Sequence, residues 1–430
     1  MNAMHRCAVI GVLDNGCEGL TAQAEKILRT ADVVIGGTRT LKLFAASLKD
    51  NSITHDLTGN MRSIPLWIRE AQQQGLRCAV LATGDPLCHG IANYLAAQLC
   101  FDALEILPNT STIQLACARF GIPWQDLHIV SIHSKDAGEW QEGATPAHGL
   151  YALRRALTQH DKLAVLTSPE NTPDRIARLL LAANLQHDFQ IAVAENLCCD
   201  DENLVSDLSI ETIADKKFAE LNVVLLWRIA PKAAPVLFGH ADSAFQQRYP
   251  EKGLITKREV RAVSLARMQL RQDSIVWDIG AGSGSVGVEA ARLCPQGHVY
   301  AIEKNAGDCE NALANRNNFA LHNYTLLHAK APEGLQDWPD PDAVFIGGSG
   351  GELTALIQLI LQRLKPNGWL VMNFVTFENI AVAIEALKHS GAEWDITQMQ
   401  SARSKPVLDM HRLAAENPVW IVCAKKAEAA

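Results

Sequence analysis

The sequence predicts an α/β protein of two domains, the second built on a parallel, doubly wound sheet. Three observations predict it. The chain has 430 residues, too many for one hydrophobic core. Its second half alternates short apolar runs with helical patterns, the order a parallel sheet requires. Midway, the apolar run Leu221 to Trp227 gives way to Arg228 to Pro235, where two prolines and small residues break any element. The boundary is therefore placed near residue 235, giving domains 1–235 and 236–430.

The first domain reads as strands at Cys7 to Val12, Val33 to Ile35, Cys78 to Ala82, Ile129 to Ile132 and Leu163 to Leu166, with helical patterns such as Thr21 to Thr30 between them. In the second, Ser274 to Ile279 is a strand and Val286 to Cys294 a helix. His298 to Glu303 is the next strand, followed by a helix through Asn317. Ala343 to Ile346 is a strand, Glu352 to Leu364 a helix stopped at Lys365-Pro366-Asn367-Gly368, and Trp369 to Val375 a strand. Trp394 to Gln400 and Pro418 to Ala424 are expected to pair late and antiparallel.

Composition excludes several classes. Hydrophobic residues at 48% and charged residues at 20% are those of a globular chain, not a disordered one. The net charge of −8, without a dense Lys/Arg run, argues against nucleic acid. An anionic small molecule would need a few placed cations. No apolar stretch approaches the roughly 18 residues of a membrane span, and no signal segment opens the chain. The eleven cysteines show no CxxC and no ligand spacing, with only Cys198 and Cys199 adjacent. Reduced thiols, a cytoplasmic setting and no metal are expected. A small-molecule partner and a homo-oligomer are expected, with neither membrane nor nucleic acid.

Asp278-Ile279-Gly280-Ala281-Gly282-Ser283-Gly284 follows a strand and opens a helix. Glycines let the chain turn sharply against a ligand, and a helix N-terminus offers free N–H groups. Glu303 closes the next strand, where a carboxylate can accept from ribose hydroxyls. Gly282, Gly284 and Gly287 also satisfy the dinucleotide spacing, so NAD stays open on spacing alone. Asp278 suits an amino-bearing, cationic ligand better than a pyrophosphate. Together with the late antiparallel pair, it favours S-adenosylmethionine and a class I methyltransferase sheet.

A second glycine cluster, Gly347-Gly348-Ser349-Gly350-Gly351, follows another strand, where its N–H groups could cradle a substrate carboxylate. It replaces the DPPY-type tetrad of many nucleic-acid amino-methyltransferases. In the first half, Thr83-Gly84-Asp85-Pro86-Leu87-Cys88-His89-Gly90, Gly11, Gly36-Gly37 and Pro108-Asn109-Thr110-Ser111-Thr112 supply glycine and hydroxyl positions at strand ends, compatible with one cleft.

Val9-Ile10-Gly11, Glu18-Gly19-Leu20-Thr21, Ala31 to Gly37, the TGDPLCHG run, Thr110 to Ala116, Ala118 to Trp124, Ser131-Ile132-His133, Asn171-Thr172-Pro173 and Ala194 to Leu197 resemble, in order, the tetrapyrrole methylase family, closest to its cobalamin-pathway C-5 methyltransferases. From Gly253, GLITKREVRA, the glycine loop and FIGGSGGEL are similar to the C-15 methyltransferase and decarboxylase of the same pathway. The chain departs from the family at Gly11 to Gly16, where a GPGD-like turn is usual. It departs again at Cys88-His89, where a Phe is frequent, and at Ser134-Lys135, where Gly-Arg usually stands. Lys keeps the charge there but loses the bidentate fork.

The resemblance implies a class III tetrapyrrole methylase fold followed by a class I Rossmann-like methyltransferase fold. It implies methylation of precorrin-6Y (precorrin-6B) at C-5 and C-15 with loss of carbon dioxide from the C-12 acetate, giving precorrin-8X in cobalamin synthesis. A cobalt-bearing ring, or a carrier without catalysis, are the alternatives. The donor is expected at Gly280, Ala281, Gly282, Ser283, Gly284, Glu303 and Thr256, with Ala331 near its adenine, and in the first domain at Gly11, Gly84, Asp85 and Thr112. Candidates for substrate are His133, Lys135, Lys257, Arg258, Arg261, Gly347, Gly348, Ser349 and Gly350. No acid or base is assigned, because alignment of donor and ring is the main demand.

Overall fold

A computed structural model describes residues 5–134, 136, 138–230, 236–248, 255–348 and 351–426. The chain divides into two compact units, Met1–Trp140 with Ala156–Pro231, and Gln141–Arg155 with Lys232–Ala430.

In the first unit, β1 (Cys7–Val12), β2 (Val33–Gly36), β3 (Ile53–Asp56), β4 (Cys78–Thr83) and β5 (Leu104–Leu107) form a parallel sheet ordered β3-β2-β4-β1-β5. The central strands β1 and β4 are continuous apolar runs because both of their faces are covered. Four helices serve this sheet: α1 (Ala22–Thr30), α2 (Thr38–Phe44), α3 (Ile64–Gln73) and α4 (Ile91–Leu99). The Thr21 hydroxyl starts α1 by accepting from the Ala24 N–H. Next, α5 (Thr112–Phe120) opens on a capping box between Ser111 and Gln114.

The unit's other sheet is mixed. It contains β6 (His128–Ser131), β7 (Lys162–Leu166), β8 (Phe189–Glu195), β9 (Asn203–Val205) and β10 (Asn222–Arg228), ordered β6-β7-β10-β8-β9, with only β6 and β7 parallel. Helices α6 (Tyr151–Gln159), α7 (Pro173–Ala182) and α8 (Ile210–Ala214) lie between its strands in the chain. The apolar strands expected from sequence are present within a residue or two. The short or half-exposed β3, β5 and β9 had no run long enough to mark them.

The second unit carries the expected alternation: α9 (Arg258–Arg267), β11 (Ile275–Ile279), α10 (Ser285–Leu293), β12 (His298–Glu303), α11 (Ala306–Asn318), β13 (Tyr324–His328), β14 (Ala343–Ile346), α12 (Leu353–Arg363), β15 (Trp369–Phe374) and α13 (Phe377–Lys388). Then come β16 (Glu393–Met399), a separate hairpin of β17 (Ala402–Val407) and β18 (Met410–Ala415), and β19 (Val419–Lys425). The seven-stranded sheet is ordered β13-β12-β11-β14-β15-β19-β16. Five strands are parallel, while β19 runs against both β15 and β16, the late antiparallel pair. Alternate residues build two cores. Trp277, Ile279, Val344 and Met372 pack with α12 and α13 on one face. Val276, Val299, Phe345 and Val371 pack with α9 and α10 on the other.

Residues Gln141–Arg155, read from sequence as part of the first domain, belong to this second unit. Thr325 donates its hydroxyl to the Gly143 carbonyl at 2.6 Å, and Tyr151 Oη lies 2.8 Å from His298 Nδ1. Burial pushes His298 and His322 down to about 3, helped at His322 by Arg154. Among the described residues, no helix is long and apolar enough to cross a membrane.

Candidate functional site

The parallel order brings the carboxyl ends of β11 to β15 to one edge, where open α/β sheets bind ligands. The Gly280 and Ala281 N–H groups donate to the Ile302 carbonyl at 2.9 and 3.1 Å, pinning the loop to the end of β12. Gly280, Gly282 and Gly284 all have positive φ, so the turn needs residues without a β-carbon. Gly282 has nothing within 4 Å of a built β-carbon and therefore faces open space. Its N–H donates at 2.9 Å to Glu303 Oε2, while Glu303 Oε1 accepts from the Asn305 N–H at 2.9 Å. Glu303 is thus fixed beside the open face, each oxygen with a lone pair to spare. Asn315 steadies the far side of the loop by donating to the Ser283 carbonyl at 2.8 Å.

Asp278 lies beneath this loop and is fully buried. Its Oδ2 accepts from the Gly287 N–H at 3.1 Å, and its Oδ1 has no hydrogen-bond partner. Burial raises its pKa to about 7, opposed by the Gly287 bond and aided by Glu303. A cation arriving above the loop would favour the charged form. Gly347 and Gly348 are exposed and pack against the loop; a β-carbon at Gly347 would meet the Gly280 carbonyl at 3.0 Å. Ser349 and Gly350 lie outside the described residues. Ala331, half-buried, packs against the core cluster that holds Ile279 and Ile302.

The sequence expectation for Arg261 is corrected. Rather than meeting substrate, its side chain is fully buried, with both terminal nitrogens hydrogen-bonded and its Nε making no hydrogen bond. It donates to the carbonyls of Thr256 and His240, each at 2.6 Å, and to Asp242 at 3.2 Å. Its Nε stands 3.0 Å from the fully buried Glu289, which also accepts from the Gly239 and His240 N–H groups. Such a pair is held because each charge is met by bonds. Arg261 therefore positions Thr256, while Lys257 stands at the N-cap of α9 without a capping side-chain bond and Arg258 points to solvent, 4.0 Å from Glu259. Sequence reasoning missed Glu289; its one signal was an acid inside the otherwise apolar run Val286 to Ala291.

In the first unit Gly11, Gly84 and Thr112 converge. A β-carbon on Gly11 would lie 2.5 Å from the Gly84 carbonyl and 2.8 Å from the Asn109 side chain. Gly84, at φ +70°, would meet the Thr112 N–H at 3.3 Å. The Asn109 amide, whose role the sequence did not reveal, donates to the Gly11 and Gly19 carbonyls at 2.9 Å. Asp85 Oδ1 accepts from the Leu87 and Cys88 N–H groups and shapes the turn between β4 and α4. His133 follows β6 in the other sheet, exposed and 3.3 Å from Ser131 Oγ. Lys135 lies outside the described residues.

Comparison with known proteins adds identity to this geometry. Residues 6–213 match the family described as Tetrapyrrole (Corrin/Porphyrin) Methylases, and residues 247–426 match the Precorrin methyltransferase domain. The chain is 30% identical over 402 residues to a Precorrin-6Y C(5,15)-methyltransferase [decarboxylating] of Sinorhizobium sp, covering 93% of this chain and 91% of that one. It is 40% identical over 175 residues to the Cobalt-precorrin-6B C(15)-methyltransferase (decarboxylating) of Salmonella typhimurium, covering 40% of this chain and 90% of that protein. A solved Precorrin-6y C5,15-methyltransferase structure from Geobacter metallireducens is 41% identical, covering 45% of this chain and all of that one, with a TM-score of 0.43.

Proposed function

Because this chain belongs to the family of decarboxylating precorrin-6Y C(5,15)-methyltransferases, we propose that it methylates precorrin-6Y at C-5 through its first unit. Its second unit, in this reading, methylates C-15 and releases carbon dioxide from the C-12 acetate. The observation that carries the second assignment is the open face of Gly282 beside the fixed carboxylate of Glu303.

S-adenosylmethionine fits that place on the chemistry of its surroundings. Gly282 leaves room for it, Glu303 has lone pairs for hydroxyls, and the unpartnered Oδ1 of buried Asp278 favours a cation nearby. When bound, this group supplies an electrophilic methyl. The chain's own contribution is placement and dryness. Glu303 fixes the loop through Gly282, Arg261 fixes the Thr256 peptide, and Gly347 and Gly348 keep the loop's flank free of side chains. In the first unit, Gly11, Gly84 and Thr112, tied by Asn109, form the corresponding seat from main-chain groups. The conjugated substrate itself takes up the electron pair left when carbon dioxide leaves the acetate, and the remaining carbon takes a proton to become a methyl group.

Incubating the chain with precorrin-6Y and S-adenosylmethionine and weighing the product tests the reading. Two methyl groups gained with one carbon dioxide lost are expected; one methyl gained without that loss would refute the role of the second unit. A cobalt-bearing ring is the second reading, favoured by the 40% identity of the second unit to a cobalt-precorrin enzyme, and the same assay with the cobalt substrate separates the two.

A further inference from the structure

Asn315 of α11 is wholly buried, and its amide reaches two separate pieces of chain. Its Nδ2 donates to the Ser283 carbonyl in the glycine turn at 2.8 Å and to the Gln246 carbonyl at 2.9 Å. Its Oδ1 accepts from the Gln246 N–H at 2.7 Å. Both amide hydrogens are spent on carbonyls and the oxygen on an N–H, so one orientation of the amide satisfies the site. The turn depends on such ties, because three glycines at positive φ give it little stiffness of its own. Ile302 holds the Gly280 and Ala281 N–H groups, Glu303 holds that of Gly282, and Asn315 holds the next peptide by its carbonyl.

The second piece of chain, residues 239–248, is a strap along α11. Phe245 stacks on Phe319 with ring centroids 5.1 Å apart, Gln246 meets Asn315, and Arg248 stands 3.3 Å from Asp308. These contacts follow one another toward the end of α11 that lies after Glu303. At its other end the strap is fixed by the Gly239 and His240 N–H bonds to Glu289. Arg261 donates to the His240 carbonyl and to Asp242 there, and it also holds the Thr256 carbonyl. The strap therefore joins two places where the donor is expected, Thr256 through Arg261 and the glycine turn through Asn315.

We propose that Asn315 is a positioning residue for the methyl donor of the second unit, setting the Ser283 peptide and keeping the strap in register with it. The inference rests on the proposed function for the identity of the donor, and binding is measured apart from turnover so that the two fail separately. The full chain, wild type and Asn315→Asp, is titrated with S-adenosylmethionine by calorimetry and assayed for the C-15 step from about pH 5 to about pH 8. The introduced carboxyl has the shape of the amide but donates a bond only while protonated. The charged groups on the elements around it are Asp242 and Arg248 on the strap, Asp308 and Arg316 on α11, Glu289 on α10 and Glu303 on β12. All are common to both proteins, so the ratio of their constants isolates the new carboxyl. The ratio of donor KM is expected to widen from about twofold at about pH 5 to about tenfold at about pH 8, with kcat nearly unchanged. C-5 methylation is the internal control. Thr325→Val, which removes the bond to Gly143 and leaves the turn alone, should lower the denaturation midpoint with donor KM unchanged. In the wild type, donor binding should slow hydrogen exchange at Gln246, a readout that needs no variant. A KM ratio near one at every pH, a donor KM that tracks the denaturation midpoint in both variants, or unaltered exchange at Gln246 would each overturn the assignment. A wild type that binds the donor, more weakly in Asn315→Asp, yet leaves C-15 unmethylated would keep the role of Asn315 and sink the reaction.

Discussion

The two units arrange their glycine turns in different ways. In the second, the loop Gly280 to Gly284 is locked by a carboxylate: Glu303 accepts from Gly282, and Asp278 lies buried below. In the first, Gly11 is pressed so closely against the Gly84 carbonyl that it leaves no room for a β-carbon, Gly84 itself sits at φ +70°, and the tie is a neutral amide, Asn109. The acid there, Asp85, has one oxygen engaged in its own turn. One glycine turn thus has fixed carboxylates beside it, and the other has mainly main-chain groups and a neutral amide.

The largest expected effect separates the units outright. Gly282→Val places a branched side chain in the open face, and it should abolish C-15 methylation and decarboxylation by at least about 100-fold while C-5 methylation persists. Gly11→Val should do the reverse, because its β-carbon meets backbone. Mass spectrometry of the products reads both, and loss of both steps in either variant would break the division of labour. Next in size, Arg261→Met strands the buried charge of Glu289 and should cost the second unit about 3–5 kcal/mol in denaturant unfolding. Lys257→Gln, at the surface, should cost little.

Smaller effects sharpen the charge difference. Glu303→Gln keeps an acceptor but removes the charge, so donor affinity in the second unit should fall about tenfold, roughly 1.5 kcal/mol. Asp278, raised to about 7, is about half protonated at neutral pH in the folded unit. Donor affinity there should rise from about pH 6 to about pH 8 and lose that slope in Asp278→Asn, whereas the first unit shows no such dependence. The buried histidines act at the other end of the scale. Their folded pKa of about 3 lies below the ordinary value, so the unfolded chain takes up protons first. The stability they confer is complete above about pH 6.5 and is lost as pH falls toward 3. The denaturation midpoint should drop between about pH 7 and about pH 5, and by less in His322→Gln.

What could be read in advance follows the same physics. Buried parallel strands are runs of apolar residues, so β1, β4, β11, β12, β14 and β15 were legible, and an acid at a strand end after a glycine turn marked Glu303. Arg261 was misread because a charge in sequence looks solvated; only the fold reveals Glu289 behind it. The hairpin left no mark, since nearly all its residues are exposed and no apolar alternation outlines it. Asn109 acts on carbonyls 98 and 90 residues away, which no local pattern records.

The excursion of Gln141–Arg155 into the second unit has a consequence for synthesis. Leu150, Tyr151 and Leu153 end up buried, yet Thr325, which holds Gly143, lies 182 residues further along. At ribosomal speed that is a wait of roughly 10–40 s. Once β10 is made, the first unit has every strand it needs, but an apolar segment from its middle stays uncovered on the nascent chain. A chaperone that shields this stretch, or a slower passage of the ribosome through it, would change the yield of folded protein without touching either cleft.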